Sequence, residues 1–291
     1  MRRYGWRAYA LPFLTVLTLA ALAAAANGGH HPATAAANQP SATTPPAAAG
    51  DISLKSDPPS AHAQPPALAA EALPPGGPYT VSGAGTFRTL PGAGPVVGSG
   101  TVRRYSIDVE NGITGIDVGA FAKLVQQALS DKRSWAGHGA ALQWVSSGPV
   151  DFHVTLTSSM TVRKLCGYTI PIETSCFARA GSTSAADTNR VVLNDARWVR
   201  GSAAYVGDLE AYQIYMVNHE SGHALGHAHA HACLPGGLAP VMMQQTIGLR
   251  SAATGAMCQA NPWPYPPGVL GAPGAEGPDT PQNSEITLGH D

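Results

Sequence analysis

The sequence predicts an α+β domain in which most strands precede one long helix, and three observations carry that expectation. Alternating runs rich in β-branched residues, such as "TVRRYSIDVE" and "VDFHVTLT", recur between residues 101 and 194, as in strands that rest one side on a core. The segment "DVGAFAKLVQQALSD" instead spaces its apolar residues for one helix face. The longest helical stretch, "GDLEAYQIYMVNHESGHALG", closes on a glycine suited to end it. No internal repeat is visible, which sets solenoids and propellers aside.

The ends of the chain differ from its middle. Residues 1–26 place Arg2, Arg3 and Arg7 ahead of an apolar run from Leu11 to Ala26 with small residues at its close, the layout of an export signal. The run is also about as long as the shortest membrane span, roughly 17 residues, so the alternative is a single N-terminal membrane anchor. Either way the protein is expected outside the cytoplasm, secreted or associated with the cell envelope. Residues 27–75 are Ala, Pro, Thr and Ser with almost no large apolar side chain. Such a segment cannot bury enough surface to offset its ordering entropy, and a disordered tether is expected. It contains no cysteine, which excludes a propeptide that sets a thiolate on a metal. The Gly/Pro-rich tail, residues 266–291, carries the same expectation of disorder. Residues 76–265, about 190 of them, remain for one domain with one sizeable core.

Within that domain "TVRRYSIDVE" reads as a strand stopped by the turn Asn111-Gly112. The helix that follows presents Phe121, Leu124, Val125, Ala128 and Leu129 on one face. "LQWV" and "VDFHVTLT" are strands around the turn "SSGP", with His153 an ordinary half-buried strand residue. "SSMTVRKLC" is a short helix or a lid over a cleft, with Ser158 as N-cap. "SCFARA" and "NRVVLN" are further strands, and "DARWVRG" is a turn of helix begun by Asp195. Asp208 caps the long helix and Gly226 stops it.

The formal net charge is −1 and no basic cluster occurs beyond the first residues, so nucleic acid is not an expected partner. Four cysteines, Cys166, Cys176, Cys233 and Cys258, lie inside the domain. In an exported protein an even count favours disulfides. Of the three connectivities, proximity favours Cys166–Cys176 with Cys233–Cys258.

The segment "NHESGHALGHAHAHACLPGG" holds histidines at 219, 223, 227, 229 and 231. His219 and His223 stand one helical turn apart, about 6 Å along the axis, and can converge on one ion. Glu220 sits beside them, within reach of a water on that ion. A tetrahedral metal needs its third protein ligand from another direction, which His227 on a continued helix, about 12 Å from His219, cannot supply. Gly226 can take a left-handed backbone and turn the chain, after which His229 can swing back. The expected ligands are therefore His219, His223 and His229, the expected ion is Zn2+, and no organic cofactor is indicated. His227 and His231 are expected at the solvated rim.

The string His219-Glu220-x-x-His223-x-x-Gly226-x-x-His229 resembles the extended motif of the metzincin clan of zinc peptidases. The resemblance implies a small twisted mixed sheet packed on a backing helix and an active-site helix, with a methionine turn below the metal. "APVMMQQ" offers Met242 for that turn, with Met243 as rival. Where many clan members place a tyrosine just after the turn, this sequence has Gln244 and Gln245. A Cys233–Cys258 bridge would close a loop around the turn. The pieces "PVDFHVTLTSSMTVRKLC", "YMVNHESGHALGHAH", "LAPVMMQQT" and "CQANPWP" more closely resemble a family of exported actinobacterial proteins defined as domain of unknown function 3152. That resemblance implies the same three histidine ligands and no particular substrate.

The leading expectation is a monomeric zinc metallopeptidase that hydrolyses peptide bonds through a zinc-bound water, with Glu220 as general base. Its substrate would be a peptide or protein, cell-wall peptide included. The alternatives are a non-catalytic, zinc-stabilised module that binds the cell envelope, and a zinc amidase acting on cell-wall peptide.

Overall fold

The computed structural model describes residues 71–167, 173–181 and 187–269. The expected export segment, the tether up to residue 70 and the tail from residue 270 lie outside the described residues. Seven strands form one mixed sheet: β1 (Phe87–Thr89), β2 (Val97–Gly98), β3 (Val102–Glu110), β4 (Ala141–Trp144), β5 (Phe152–Thr157), β6 (Cys176–Ala178) and β7 (Arg190–Asn194). Their order is β2-β4-β3-β5-β7-β6. β4, β3, β5 and β7 are mutually parallel, while β2 and β6 pair antiparallel at the two ends. β1 pairs antiparallel with the C-terminal half of β3, sharing with β4 the edge opposite β5. The helices are α1 (Val118–Ser130), α2 (Ser159–Cys166), α3 (Asp195–Arg200) and α4 (Leu209–Ala224). Among the described residues no helix is long and apolar enough to cross a membrane.

Alternation sorts the sheet residues onto two covered faces. Tyr105, Ile107 and Val109 of β3, Phe152, Val154 and Leu156 of β5, and Val191 and Leu193 of β7 share one core with Phe121, Val125 and Leu129 of α1 and Tyr212, Tyr215 and Met216 of α4. On the other face Val192 and Ala178 pack with Val162 and Leu165 of α2. Its polar residues are buried too, and each has partners, as burial demands. Asp108 accepts hydrogen bonds from Thr89, Ser106 and Arg190, and its Oδ2 lies 2.9 Å from His153 Nδ1. Ser106 Oγ meets the same ring nitrogen at 2.7 Å. A relay from serine through histidine to aspartate needs the two on opposite ring nitrogens, so this trio is not a nucleophile site.

One helix cap works differently from the expected one. Ser158 stands at the N-cap of α2, but its hydroxyl accepts from Gly83 N instead of capping. Glu110 takes over: its carboxylate accepts from Ser158 N at 2.7 Å and from the Thr161 hydroxyl at 2.7 Å, a negative charge at the positive end of the helix. α3 begins at Asp195 as expected; Asn194 caps it by accepting from Ala196 N, and Asp195 accepts from Thr80 N at 2.6 Å. Both the Ser158 and the Asp195 contacts arise because the segment before β1 passes here and brings the N–H donors of Gly83 and Thr80 with it. That segment is tied at its start as well. The fully buried Arg197 donates to the carbonyls of Glu71 at 2.7 Å and Ala72 at 3.0 Å, ahead of the expected domain start at residue 76.

The cysteines pair as Cys166–Cys176 and Cys233–Cys258, the connectivity that proximity favoured. The first joins the end of α2 to β6. The second closes the segment that follows α4.

Candidate metal centre

Asp208 starts α4 by accepting from Ala211 N at 3.0 Å, and the helix runs through His219 and His223 before ending at Ala224. Gly226 then adopts φ +99°, a left-handed conformation that any side chain would strain, and the chain returns to bring in His229. One nitrogen each of His219, His223 and His229 lies within 4.8 Å of the others, and His223 Nε2 stands 3.1 Å from His229 Nε2. Two nitrogens bound tetrahedrally at about 2.05 Å from a zinc ion are about 3.3 Å apart. The His223–His229 pair therefore stands near that spacing.

Hydrogen bonds select the nitrogen that each of the two helical ligands offers. His219 Nδ1 is 2.8 Å from the carbonyl of Val241, and His223 Nδ1 is 2.8 Å from the carbonyl of His227. A carbonyl can only accept, so both Nδ1 atoms carry the proton and donate, leaving the Nε2 lone pairs for a metal. Burial disfavours the charged form of all three rings. It depresses His219 well below the usual histidine value, with His223 and His229 adding to the effect, and depresses His223. His229 is pushed down to about 4 by burial and then by His223 and His231.

Glu220, on the same turn, is 6% exposed and makes no hydrogen bond with another described residue. Burial alone pushes its carboxyl up to about 8. A carboxyl in this state is what a nearby cation or a reacting water would engage.

Beneath the histidines lies Met242, 1% exposed. A Cβ at Gly222 would stand 2.4 Å from Met242 Sδ and 2.7 Å from Trp135 Cζ2, so glycine lets both side chains reach the α4 backbone between the two helical ligands. Met243 packs elsewhere, with Ala239 and the Cys233–Cys258 bridge. The turn is bound from below. Tyr215 Oη donates to the Met243 carbonyl and accepts from Gln245 N, both at 2.9 Å. The Gln245 side chain uses all four of its hydrogen-bonding positions: it donates to the carbonyls of Pro240 and Asn261 and accepts from Tyr205 Oη and Asn261 N. Gln245 is thus a buried brace, and Gln244 is exposed.

His227 is half-buried, not fully solvated. Its ring stacks on Trp135 at 4.2 Å, and Trp135 Nε1 donates to the Asn218 carbonyl at 2.9 Å. His231 is exposed at the rim, but its carbonyl accepts from Ser251 Oγ and Ala253 N. Tyr215 was open to recognition, since it precedes His219 by one helical turn on the same face. Trp135 and Gln245 act across the chain and leave no local pattern.

A family model described as a protein of unknown function, DUF3152, matches residues 73–266. No curated protein and no solved structure matches the chain.

Proposed function

This chain belongs to the DUF3152 family of proteins of unknown function, and from its metal centre we propose that it is an exported zinc-dependent peptidase of metzincin type. One observation carries the reading: three imidazole nitrogens converge within 4.8 Å beside a buried carboxyl that has no hydrogen bond to a described residue. The residues fit the ion. His219, His223 and His229 would hold it through nitrogen, two of them with the tautomer already set by carbonyls. When bound, zinc supplies Lewis acidity that polarises a carbonyl and lowers the pKa of water toward about 7.

The chain's own groups do the rest. Glu220 takes the proton of the attacking water and returns it to the leaving amine. Met242 gives the ligands an apolar, polarizable floor, while Tyr215 and Gln245 keep the turn at its distance from α4. The carbonyls of Val241 and His227 hold two rings in orientation. A purely structural zinc site fills its fourth position with protein. Here the metal-ligating group found among the described residues has three members, which supports catalysis over a binding module. Two disulfides support an extracytoplasmic location.

The experiment is metal analysis of the purified protein with a peptide-library digest, run with and without chelator. Glu220→Gln is expected to retain about one equivalent of zinc per chain, as one three-ligand site requires, and to lose turnover by at least about a hundredfold. Zinc-loaded wild type that cleaves no member of the library, together with an unchanged Glu220→Gln variant, would sink the proposal. Parallel incubation with isolated cell wall separates a protein substrate from a wall-peptide amide.

A further inference from the structure

An open groove of about 260 Å³ adjoins the metal centre, lined by His229, His231, Met243, Gln244, Ile247 and Arg250 among others. Two properties of the surrounding chain give it a polarity. From Ser221 to Ala275 the sequence contains no Asp or Glu, and Arg250 is its one Lys or Arg. Arg250 forms no ion pair with a described carboxylate. Its Nη1 donates to the Gly255 carbonyl at 2.7 Å, which leaves further N–H donors of the guanidinium for a ligand.

The arginine is held by its backbone. Arg250 pairs with Met257 in an antiparallel bridge, and Cys258 N donates to the Leu249 carbonyl at 2.8 Å. Cys258 is bonded to Cys233. Ser251 Oγ and Ala253 N both donate to the carbonyl of His231, two residues past the ligand His229. The turn that carries Arg250 is thus fastened beside the metal ligands, which reduces the ordering cost of a cation waiting for a partner. Ile247, 39% exposed, and Met243 supply apolar wall in the same groove.

Apolar wall and a single unneutralised guanidinium match a short aliphatic stem ending in a carboxylate. We infer that this groove receives the substrate residue next to the scissile bond on the His229 side and selects a carboxylate there, bound by Arg250. The inference rests on the peptidase reading above. The carboxylate can come from an acidic side chain or from a free peptide C-terminus.

The test measures binding and cleavage separately. Peptides identical except for Glu or Gln at one position, and a pair ending in a free acid or an amide, are titrated against the zinc-loaded Glu220→Gln chain at low salt. The carboxylate member of at least one pair is expected to bind about five- to tenfold more tightly, the range of a partly exposed charge-assisted pair. The pair that shows it identifies the source. Arg250→Gln should erase the preference, Arg250→Glu invert it, and Arg250→Lys retain part of it, all with melting temperatures unchanged because the side chain is exposed. Equal binding of both members of both pairs, or a preference that survives Arg250→Glu, overturns the inference. Cleavage maps of the wild type decide the other question: charge-indifferent cutting leaves a peptidase without carboxylate selection. Selective binding without any cutting leaves the groove and removes the peptidase.

Discussion

Replacing Gly222 by alanine should destabilise the protein, the opposite of what alanine does at an ordinary helix position. Glycine in a helix interior costs about 1 kcal/mol relative to alanine, so propensity alone predicts a gain. At Gly222 the new methyl carbon meets Met242 Sδ at 2.4 Å and Trp135 Cζ2 at 2.7 Å. The thioether can swing aside. The indole cannot, because its N–H is bonded to the Asn218 carbonyl and its faces and edges meet His227 and Tyr265. Overpacking of a well-filled core costs about 1–3 kcal/mol; two approaches below 3.0 Å at once put this site in the upper half, about 2–3 kcal/mol, leaving a net loss of roughly 1–2 kcal/mol after the helical gain. For a domain of this size that corresponds to a fall in Tm of about 2–8 °C. Zinc affinity should drop by roughly tenfold, since displacing Trp135 disturbs His227, whose carbonyl orients His223. Thermal melts with and without zinc measure both effects, and the double variant with Met242→Ala measures the coupling. A variant that melts at or above the wild type, or strictly additive losses in the double variant, would refute the close-approach argument.

Other consequences can be measured in the same way. Zinc at about a hundredfold excess over its Kd should stabilise the fold by about 2.7 kcal/mol, raising Tm by roughly 5–10 °C, and His229→Ala should abolish the rise. Burial pushes the Asp108 carboxyl up, but the bonds from His153, Ser106 and Arg190 outweigh it and hold the group at about 2 against an ordinary 3.8. Because the folded value is depressed, its contribution, about 2 kcal/mol, is complete above about pH 4 and is lost as pH falls toward 2. Asp108→Asn should flatten urea-unfolding stability across that window, and an unchanged slope would count against the network. Removing Cys233–Cys258, which closes a separation of 25 residues, should cost about 3 kcal/mol on the chain-entropy model and weaken zinc binding. Removing Cys166–Cys176, at a separation of 10, should cost slightly less and leave zinc affinity nearly unchanged.

The three-histidine cluster was legible because its geometry is local. One helical turn and one left-handed glycine decide where His219, His223 and His229 go, and all of it lies within eleven residues of sequence. The longer strands were legible through alternation. β1 and β2, three and two residues long, have too few positions to show a period and exist only through their partners. The second face of β3 misled in a different way. The alternation in "YSIDVE" suggests one wet side, yet Ser106, Asp108 and Glu110 are all buried, because β1, α2 and the strap before β1 cover them. Ser158 lost its capping role to Glu110 for the same reason: the donors that compete for each oxygen come from segments distant in sequence. The stacking of His227 on Trp135 was not legible, because nothing local announces that partner.

What orients the ligands is mostly main chain, and this bears on how the site accepts an ion. His219 and His223 donate their Nδ1 protons to carbonyls, so their Nε2 lone pairs are fixed whether or not a metal is bound. His229 has no such carbonyl partner among the described residues; its Nε2 faces that of His223 at 3.1 Å. Two lone pairs at that distance repel, so in the absence of an ion the stable arrangement puts the His229 proton on Nε2, donating to His223. A cation held as proposed would reverse the preference, since attraction to all three lone pairs would favour the other tautomer of His229. In the proposed site an ion would meet rings in which burial disfavours the second proton, and on the histidines only one proton would have to move, from one nitrogen of His229 to the other. A site assembled this way needs little rearrangement to bind. That follows from the backbone path set by Gly226 and by the turn at Val241, which places the two carbonyls where side-chain partners would otherwise have been required.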